Sequence, residues 1–264
     1  MKNSIVVFLA HIVLVLAQNP AAAQTFKESS PKTLPVLWQQ TSAEYRALCY
    51  QAFNLATLRL NEISAKELKK GKLAIITDLD ETILDNSSRE AQLILDRQVH
   101  TQASWKEWTD LSMAREVPGA LEFLKFAHGK GISLFYVSNR DTTEIGSTIA
   151  NMKKLGMPDA DAAHMIFMRN TSSKEVRRQE VMKNYTVVML LGDNLNDFAT
   201  VFEKKTIADR IIETDKMKAE WGKKFIVLPN ATYGEWESAL YNYNSKLSPE
   251  NKDSIRIHLL KGYK

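Results

Sequence analysis

Two carboxylates one residue apart, Asp78 and Asp80, follow directly on the apolar run Leu73–Thr77. A buried strand that delivers two acids at its C-terminal end is costly unless a cation and a polar ligand answer them. Residues two apart on a strand share a face. Asp78 can therefore serve as nucleophile and metal ligand, while Asp80 reaches the oxygen of a leaving group. Neighbouring carboxylates split their pKa values, which lets one keep a proton and act as the acid. Attack on phosphorus is the chemistry that uses such a pair. A lone D-x-D is common in solvated acidic turns, whereas Asp78-Leu79-Asp80-Glu81-Thr82 after an apolar run is a strong signal.

Three further stretches suit the same reaction. Ser138 and Asn139, within Tyr136-Val137-Ser138-Asn139-Arg140, follow a second apolar run and offer hydrogen bonds to phosphate oxygens. Taken alone, a serine there reads as an ordinary helix N-cap. Lys174 stands at the start of a helical segment, where its charge opposes the helix dipole unless an anion lies beside it. Taken alone, a solvated surface lysine accounts for it equally well. In Leu191-Gly192-Asp193-Asn194-Leu195-Asn196-Asp197-Phe198, glycine lets the chain turn off a strand and Asp193 points at the site. Asp197 lies one helical turn on and can orient the metal shell. Asp78, Asp80 through its backbone carbonyl, and Asp193 then make an all-oxygen set suited to Mg²⁺, with water and phosphate filling the shell. Zinc fits poorly, because His11, His100, His128, His164 and His258 are scattered and none stands at ligand spacing.

The elements that must position these residues alternate along the chain. Apolar, β-branched runs at Leu73–Thr77, Ile132–Val137, Met165–Met168, Thr186–Leu191 and Phe225–Leu228 predict strands. Helix-period segments fall between them, at about Pro118–His128, Thr142–Leu155, Ser173–Asn184 and Ala208–Lys223. Such alternation predicts an α/β fold, a parallel sheet with helices on both faces, whose ligands sit beyond the carboxyl ends of the strands. Trp38–Lys70 reads as one long helix or two short ones, ended by Gly71. Residues 87–117, with Trp105 and Trp108, are too long for a simple loop and read as a small helical cap inserted after the first strand. The cap is expected to pack with the helices of 38–70. Residues 237–264 carry no motif that adds to the reading.

The chain has 264 residues, 44% apolar and 25% charged, with a formal net charge of +4. That balance suits one globular domain, here 36–264. No Lys/Arg block of the kind that binds nucleic-acid polymers is present in the sequence. Lys2, the apolar stretch Ser4–Ala17 and the small residues to Ala23 read as a secretory signal over 1–23, with 24–35 as a flexible lead-in. The apolar stretch is shorter than the roughly 20 residues needed to span a bilayer, and no cysteine follows it to carry a lipid. A periplasmic or secreted protein without a stable membrane anchor is expected. Cys49 is the sole cysteine and lies in an apolar-periodic stretch, so it reads as a buried small hydrophobe.

The order DxDxT, serine after a second strand, lysine, then GDNxxD resembles the haloacid dehalogenase (HAD) phosphohydrolase superfamily. Asp78–Asn86 (DLDETILDN), Gly192–Phe198 (GDNLNDF), Val117–Ala120, Tyr136–Arg140 and Pro229–Trp236 narrow the resemblance to the bacterial class C acid phosphatases, which include lipoprotein 5′-nucleotidases. The likeness runs from about Trp38 to Trp236. It implies a HAD-like Rossmannoid sheet and a Mg²⁺-dependent acid phosphatase acting through an aspartyl-phosphate. In that family Asp78 is the nucleophile and Asp80 the general acid/base. Ser138 and Lys174 bind phosphate, Asp193 binds metal, and Asp197 supports the metal site. The resemblance also implies an aromatic clamp on a nucleotide base, at Trp105 and Tyr233. Arg89 departs from the aromatic residue usual at its position and bears on substrate choice. The expected partner is a small phosphomonoester, with 5′-nucleotides first and sugar phosphates or other small monoesters as the alternative. A non-catalytic binding protein of the same fold, the third reading, predicts damaged motif carboxylates, and Asp78, Asp80 and Asp193 are all present. The oligomeric state, a homodimer among the options, is not fixed by the sequence.

Overall fold

The computed structural model describes residues 30–63 and 71–263. The expected signal segment, the lead-in up to residue 29 and residues 64–70 lie outside the described residues. Strands β1 (Leu73–Thr77), β4 (Ser133–Asp141), β5 (Met165–Met168), β6 (Thr186–Gly192) and β7 (Phe225–Val227) form one sheet in the order β5-β4-β1-β6-β7. Every pairing in it is parallel. The chain builds outward from β1 through β4 to β5, then returns to the other side of β1 for β6 and β7. The order therefore reverses beside β1, and the crevice that a reversal opens lies at the carboxyl ends of β1 and its neighbours.

Alternation along β1 explains why the sheet is covered on both faces. Leu73 and Ile75 join one core with Leu134, Tyr136, Met189 and Leu191. Ala74 and Ile76 join the other with Phe135, Val137, Leu190 and Phe225. Helix α1 (Thr33–Thr41) begins three residues inside the expected lead-in, and α2 (Ala43–Glu62) follows it at once. Two helices form here because Ser42 leaves helical geometry and its hydroxyl accepts from the Tyr45 N–H at 3.0 Å, capping α2. The buried stripe of α2 is Tyr45, Cys49, Phe53, Ala56 and Leu60. Cys49 is fully buried, and burial pushes its thiol up to about 11, which leaves it inert.

Residues 87–117 leave the sheet through a two-stranded antiparallel stem, β2 (Leu84–Asp85) with β3 (Arg115–Glu116). Helices α3 (Ser87–Leu95) and α4 (Gln102–Leu111) lie between the two stem strands in sequence. Helix α1 packs on α3, while α2 packs on α5 (Ala120–Gly129) and β7. The crossover helices are α5, α6 (Ile145–Leu155), α7 (Glu175–Met182) and α8 (Ile207–Lys216); α9 (Glu235–Leu240) and α10 (Pro249–Leu259) finish the chain.

Helix α8 stops at Lys216, short of the predicted Lys223. Trp221 packs on Phe198, Phe202 and Phe225, and its indole N–H donates to Thr214 O at 2.9 Å. Gly222 then turns with φ +72°, which a helix does not permit. Among the described residues no helix is long and apolar enough to cross a membrane.

Candidate active site

The end of β1 hands the chain to a tight turn. The Asp78 N–H donates to Leu191 O at 3.0 Å, which ties it to the carboxyl end of β6. Glu81 takes φ +58°, and the N–H groups of Ile83 and Leu84 both return to Leu79 O. This reversal sends the side chains of Asp78 and Asp80 into one cavity of about 540 Å³. Ser138, Asn139, Lys174, Asp193, Asp197, Trp105 and Tyr233 line the same cavity. All the site residues expected from sequence thus meet in one place, although they come from six separate stretches.

Asp78, Asp193 and Asp197 each offer a carboxylate oxygen, and these oxygens lie within 4.8 Å of one another. Among the described residues this is the only such cluster of potential metal ligands. The Lys174 ammonium bridges two of them, 2.6 Å from Asp78 Oδ1 and 2.6 Å from Asp197 Oδ1. Asp193 is held from its other sides by the Thr82 hydroxyl at 3.2 Å and the Asn230 amide at 2.7 Å. Three carboxylates against one lysine leave two negative charges without an answering cation. An all-oxygen set with that imbalance fits a hard divalent ion.

Burial pushes Asp78 up to about 7, helped by Asp197 and Asp80 and opposed by Lys174. Asp193 is held well above the usual carboxylate range, first by burial and then by Asp197 and Asp78. Burial alone lowers Lys174, but Asp197 and Asp78 outweigh it and raise the ammonium above its ordinary value. A cation bound among the three acids reverses the first two shifts, since it rewards their ionised forms.

Asp197 stands closer in than a supporting role requires. Its second oxygen accepts from the Asn194 N–H at 3.0 Å, which folds the 194–197 turn back on itself. The turn also needs Gly192: a β-carbon there would overlap the Asp197 carboxylate. Arg178, buried in α7, clamps the turn from below by donating to the carbonyls of Asn196 and Asp197, each at 3.0 Å.

The Asp80 carboxylate is turned away from the acid cluster. It accepts from Arg140 Nε at 3.1 Å to each oxygen, from Arg140 Nη2 at 2.6 Å, and from the Asn86 amide at 2.9 Å. Arg140 is itself buried, fixed by Thr148 at 2.9 Å and set over the Trp105 ring. Arg140 has no role in the sequence motifs as read above; the signal for it is its place next to Ser138 and Asn139. Ser138 is buried, and its hydroxyl accepts from the Arg140 N–H at 3.1 Å. Asn139 turns its carbonyl oxygen to Arg177 at 2.5 Å, so its remaining amide hydrogens are what it can offer to the cavity. The adjacent Arg177 and Arg178 of α7 are both buried struts.

Trp105 and Tyr233 both reach the cavity, each anchored at its polar end. The Trp105 N–H donates to Glu144 at 3.0 Å, and the Tyr233 hydroxyl donates to the buried Glu81 carboxylate. Burial, followed by the neighbouring Asp80 and Asp193, raises Glu81 well above its ordinary value.

A parallel, doubly wound sheet with acids directly after β1 and β6 defines an α/β fold of the HAD kind. The chain belongs to subfamily IIIB of the HAD superfamily, the acid phosphatases, whose family model matches residues 4–236. It is similar to the class C acid phosphatase of Bacillus anthracis, at 38% identity over 88% of this chain and 98% of that one, with a TM-score of 0.84. A second structure, of the class C acid phosphatase from Bacillus anthracis with tungstate bound, matches at 39% identity and the same TM-score of 0.84. The chain is accordingly a phosphomonoesterase of the acid phosphatase type.

Proposed function

We propose that the protein is an exported, Mg²⁺-dependent acid phosphatase that hydrolyses small phosphomonoesters, 5′-nucleotides foremost, through an aspartyl-phosphate on Asp78. The observation that carries the reading is the buried cluster of Asp78, Asp193 and Asp197 with Lys174 bridging two of its acids. Asp78 and Asp193, with Asp197 beside them, would hold Mg²⁺, which would supply positive charge between the attacking carboxylate and the phosphate oxygens.

Asp78 attacks phosphorus, forming the new P–O bond as the bond to the leaving alcohol breaks. Asp80, oriented by Arg140 and Asn86, gives its proton to the departing oxygen and then takes one from the water that cleaves the aspartyl-phosphate. Ser138, Asn139 and Lys174 donate to the phosphate oxygens, where most stabilisation of the transferring group arises. The similar protein that binds tungstate accepts a tetrahedral oxyanion of this shape. A cavity of about 540 Å³ has room for a nucleoside beyond the phosphate, and Trp105 and Tyr233 supply ring faces against which a base can stack. Residues 1–23 are the expected export signal, and no nucleic-acid polymer is expected as a partner.

Turnover of a panel of phosphomonoesters, with and without chelator, tests the reading. The expected result is hydrolysis at mildly acidic pH that chelator abolishes and Mg²⁺ restores. Full activity in chelator would overturn the metal requirement.

A further inference from the structure

We propose that Trp108 is a positioning residue for the reaction: its indole N–H sets the Asn86 amide, and Asn86 in turn holds Asp80 with one oxygen left to protonate the leaving group. The proposal rests on the phosphomonoesterase reading above, with Asp80 as the acid, and deepens it by naming what in the cap holds that acid.

An asparagine at a helix N-cap normally gives its side-chain oxygen to an N–H of the first turn. Asn86 is the N-cap of α3, is fully buried, and makes no such bond. Its Oδ1 accepts instead from Trp108 Nε1 at 2.7 Å. An indole has one N–H and can only donate, so the amide must turn its oxygen to Trp108 and its NH₂ away from it. The NH₂ meets acceptors there: Nδ2 donates to Asp80 Oδ1 at 2.9 Å and lies 3.4 Å from Glu81 Oε2. The backbone N–H of Asn86 donates to Glu81 Oε1 at 2.9 Å, which fixes its main chain beside the same turn. The reverse orientation of the amide would set a carbonyl oxygen against the carboxyl groups of Asp80 and Glu81.

The two oxygens of Asp80 are thereby made unequal. Oδ1 accepts from Asn86 Nδ2, from Arg140 Nη2 at 2.6 Å and from Arg140 Nε at 3.1 Å. Among the described residues Oδ2 has only the shared Arg140 Nε, also at 3.1 Å. Oδ1 is saturated, and Oδ2 is the oxygen with room for a proton. As Asp78 bonds to phosphorus and the P–O bond to the alcohol breaks, the departing oxygen keeps the electron pair and takes the proton from Oδ2. Asp80 lines the cavity, whereas Asn86 and Trp108 stand behind its wall and act through it.

Trp105 and Trp108 lie three residues apart on α4, on one face of that helix. The first N–H goes to Glu144 and the second to Asn86. Helix α4 packs on α6, and the segment after it is tied to the same helix. The Ser112 hydroxyl donates to Ser147 O at 2.9 Å, and the Ala114 N–H donates to Asn151 Oδ1 at 2.9 Å. The cap therefore delivers the Trp108 N–H to Asn86 from a fixed place.

The test uses kcat/KM, which covers the steps through departure of the alcohol. It is measured in Mg²⁺ on p-nitrophenyl phosphate, phenyl phosphate and glycerol 3-phosphate, whose leaving groups need progressively more help from a proton. Asp80→Asn is the reference, with losses expected to climb along that series. Trp108→Phe keeps an aromatic ring and removes the N–H. It is expected to lose about tenfold on glycerol 3-phosphate and about twofold or less on p-nitrophenyl phosphate. Asn86→Ala is expected to show the same climb more strongly, and adding Trp108→Phe to it to cost nothing further, because Trp108 acts through Asn86. Equal loss on all three substrates, wild-type values throughout, or a double variant that loses the product of the two single losses overturns the proposal. Should Asn86→Ala not fold, the Trp108→Phe series alone decides. Failure of the reading beneath it looks different: the wild-type chain hydrolyses none of the three, or Asp80→Asn loses no more on glycerol 3-phosphate than on p-nitrophenyl phosphate.

Discussion

The sheet end and the cap end of the cavity are built by different means. At the sheet end, acids ride on the last residues of β1 and β6 or on the turn directly after them, and buried cations lock them in place. At the cap end, Arg89, His100 and Trp105 project from the inserted segment, which joins the sheet through a stem of two residues per strand. The sheet end therefore has one geometry, set by strand register and by contacts between backbones. The cap end is set by side chains that hold one another. Chemistry common to all phosphomonoesters belongs at the first end, and choice among leaving groups belongs at the second.

The comparison breaks most sharply at Asp78. Asp78→Asn keeps the size of the side chain and removes its nucleophilic charge. A loss of about 10⁴-fold or more in kcat is expected on every substrate, with the fold intact by circular dichroism. Near-normal turnover would remove the sheet end from the reaction. A smaller break comes from Gly192→Ala, which forces the Asp197 carboxylate aside. Misplacement on the scale of an ångström costs about a hundredfold in rate. Steady-state kinetics should show that loss for all substrates alike, because nothing at the cap end is touched.

A subtler difference appears in pH dependence. Burial lifts Asp78 to about 7, against about 3.9 in an unfolded chain. The folded metal-free protein therefore binds more protons than the unfolded chain between those values. The stability this group contributes is present below about pH 4 and is lost as pH rises through 7. Asp193 and Glu81, also raised, act in the same direction. Metal-free protein should melt several degrees lower at pH 8 than at pH 5, and Mg²⁺ should narrow the gap by stabilising the ionised acids. An unchanged melting temperature across that range would show that the acids are not buried together.

The sheet end was legible in the sequence for a physical reason. A parallel strand buried on both faces reads as an unbroken apolar run, so the polar residues that interrupt it stand out at its end. Asp78, Ser138 and Asp193 were each found in that way. What lay beyond reach was pairing across the chain. Nothing local shows that Lys174 bridges Asp78 and Asp197, or that Arg140 takes the Asp80 carboxylate. Nor does anything local show that Arg177 and Arg178 are buried struts. Helix α8 ends earlier than its sequence pattern predicts because Trp221 is drawn off the helix by Phe198, Phe202 and Phe225. The cap end was legible as an insertion with tryptophans, but the position of Arg89 over Trp105 depends on how α3 and α4 meet.

The central claim is that Asp78, Asp193 and Asp197 together hold one divalent cation. Calorimetric titration of the metal-free protein with Mg²⁺ at pH 7.5 tests it most directly. The account predicts one site per chain, proton release on binding because Asp78 starts partly protonated, and loss of that site in Asp193→Asn. Binding that is undiminished in Asp193→Asn, or no binding to the wild-type chain, would contradict it.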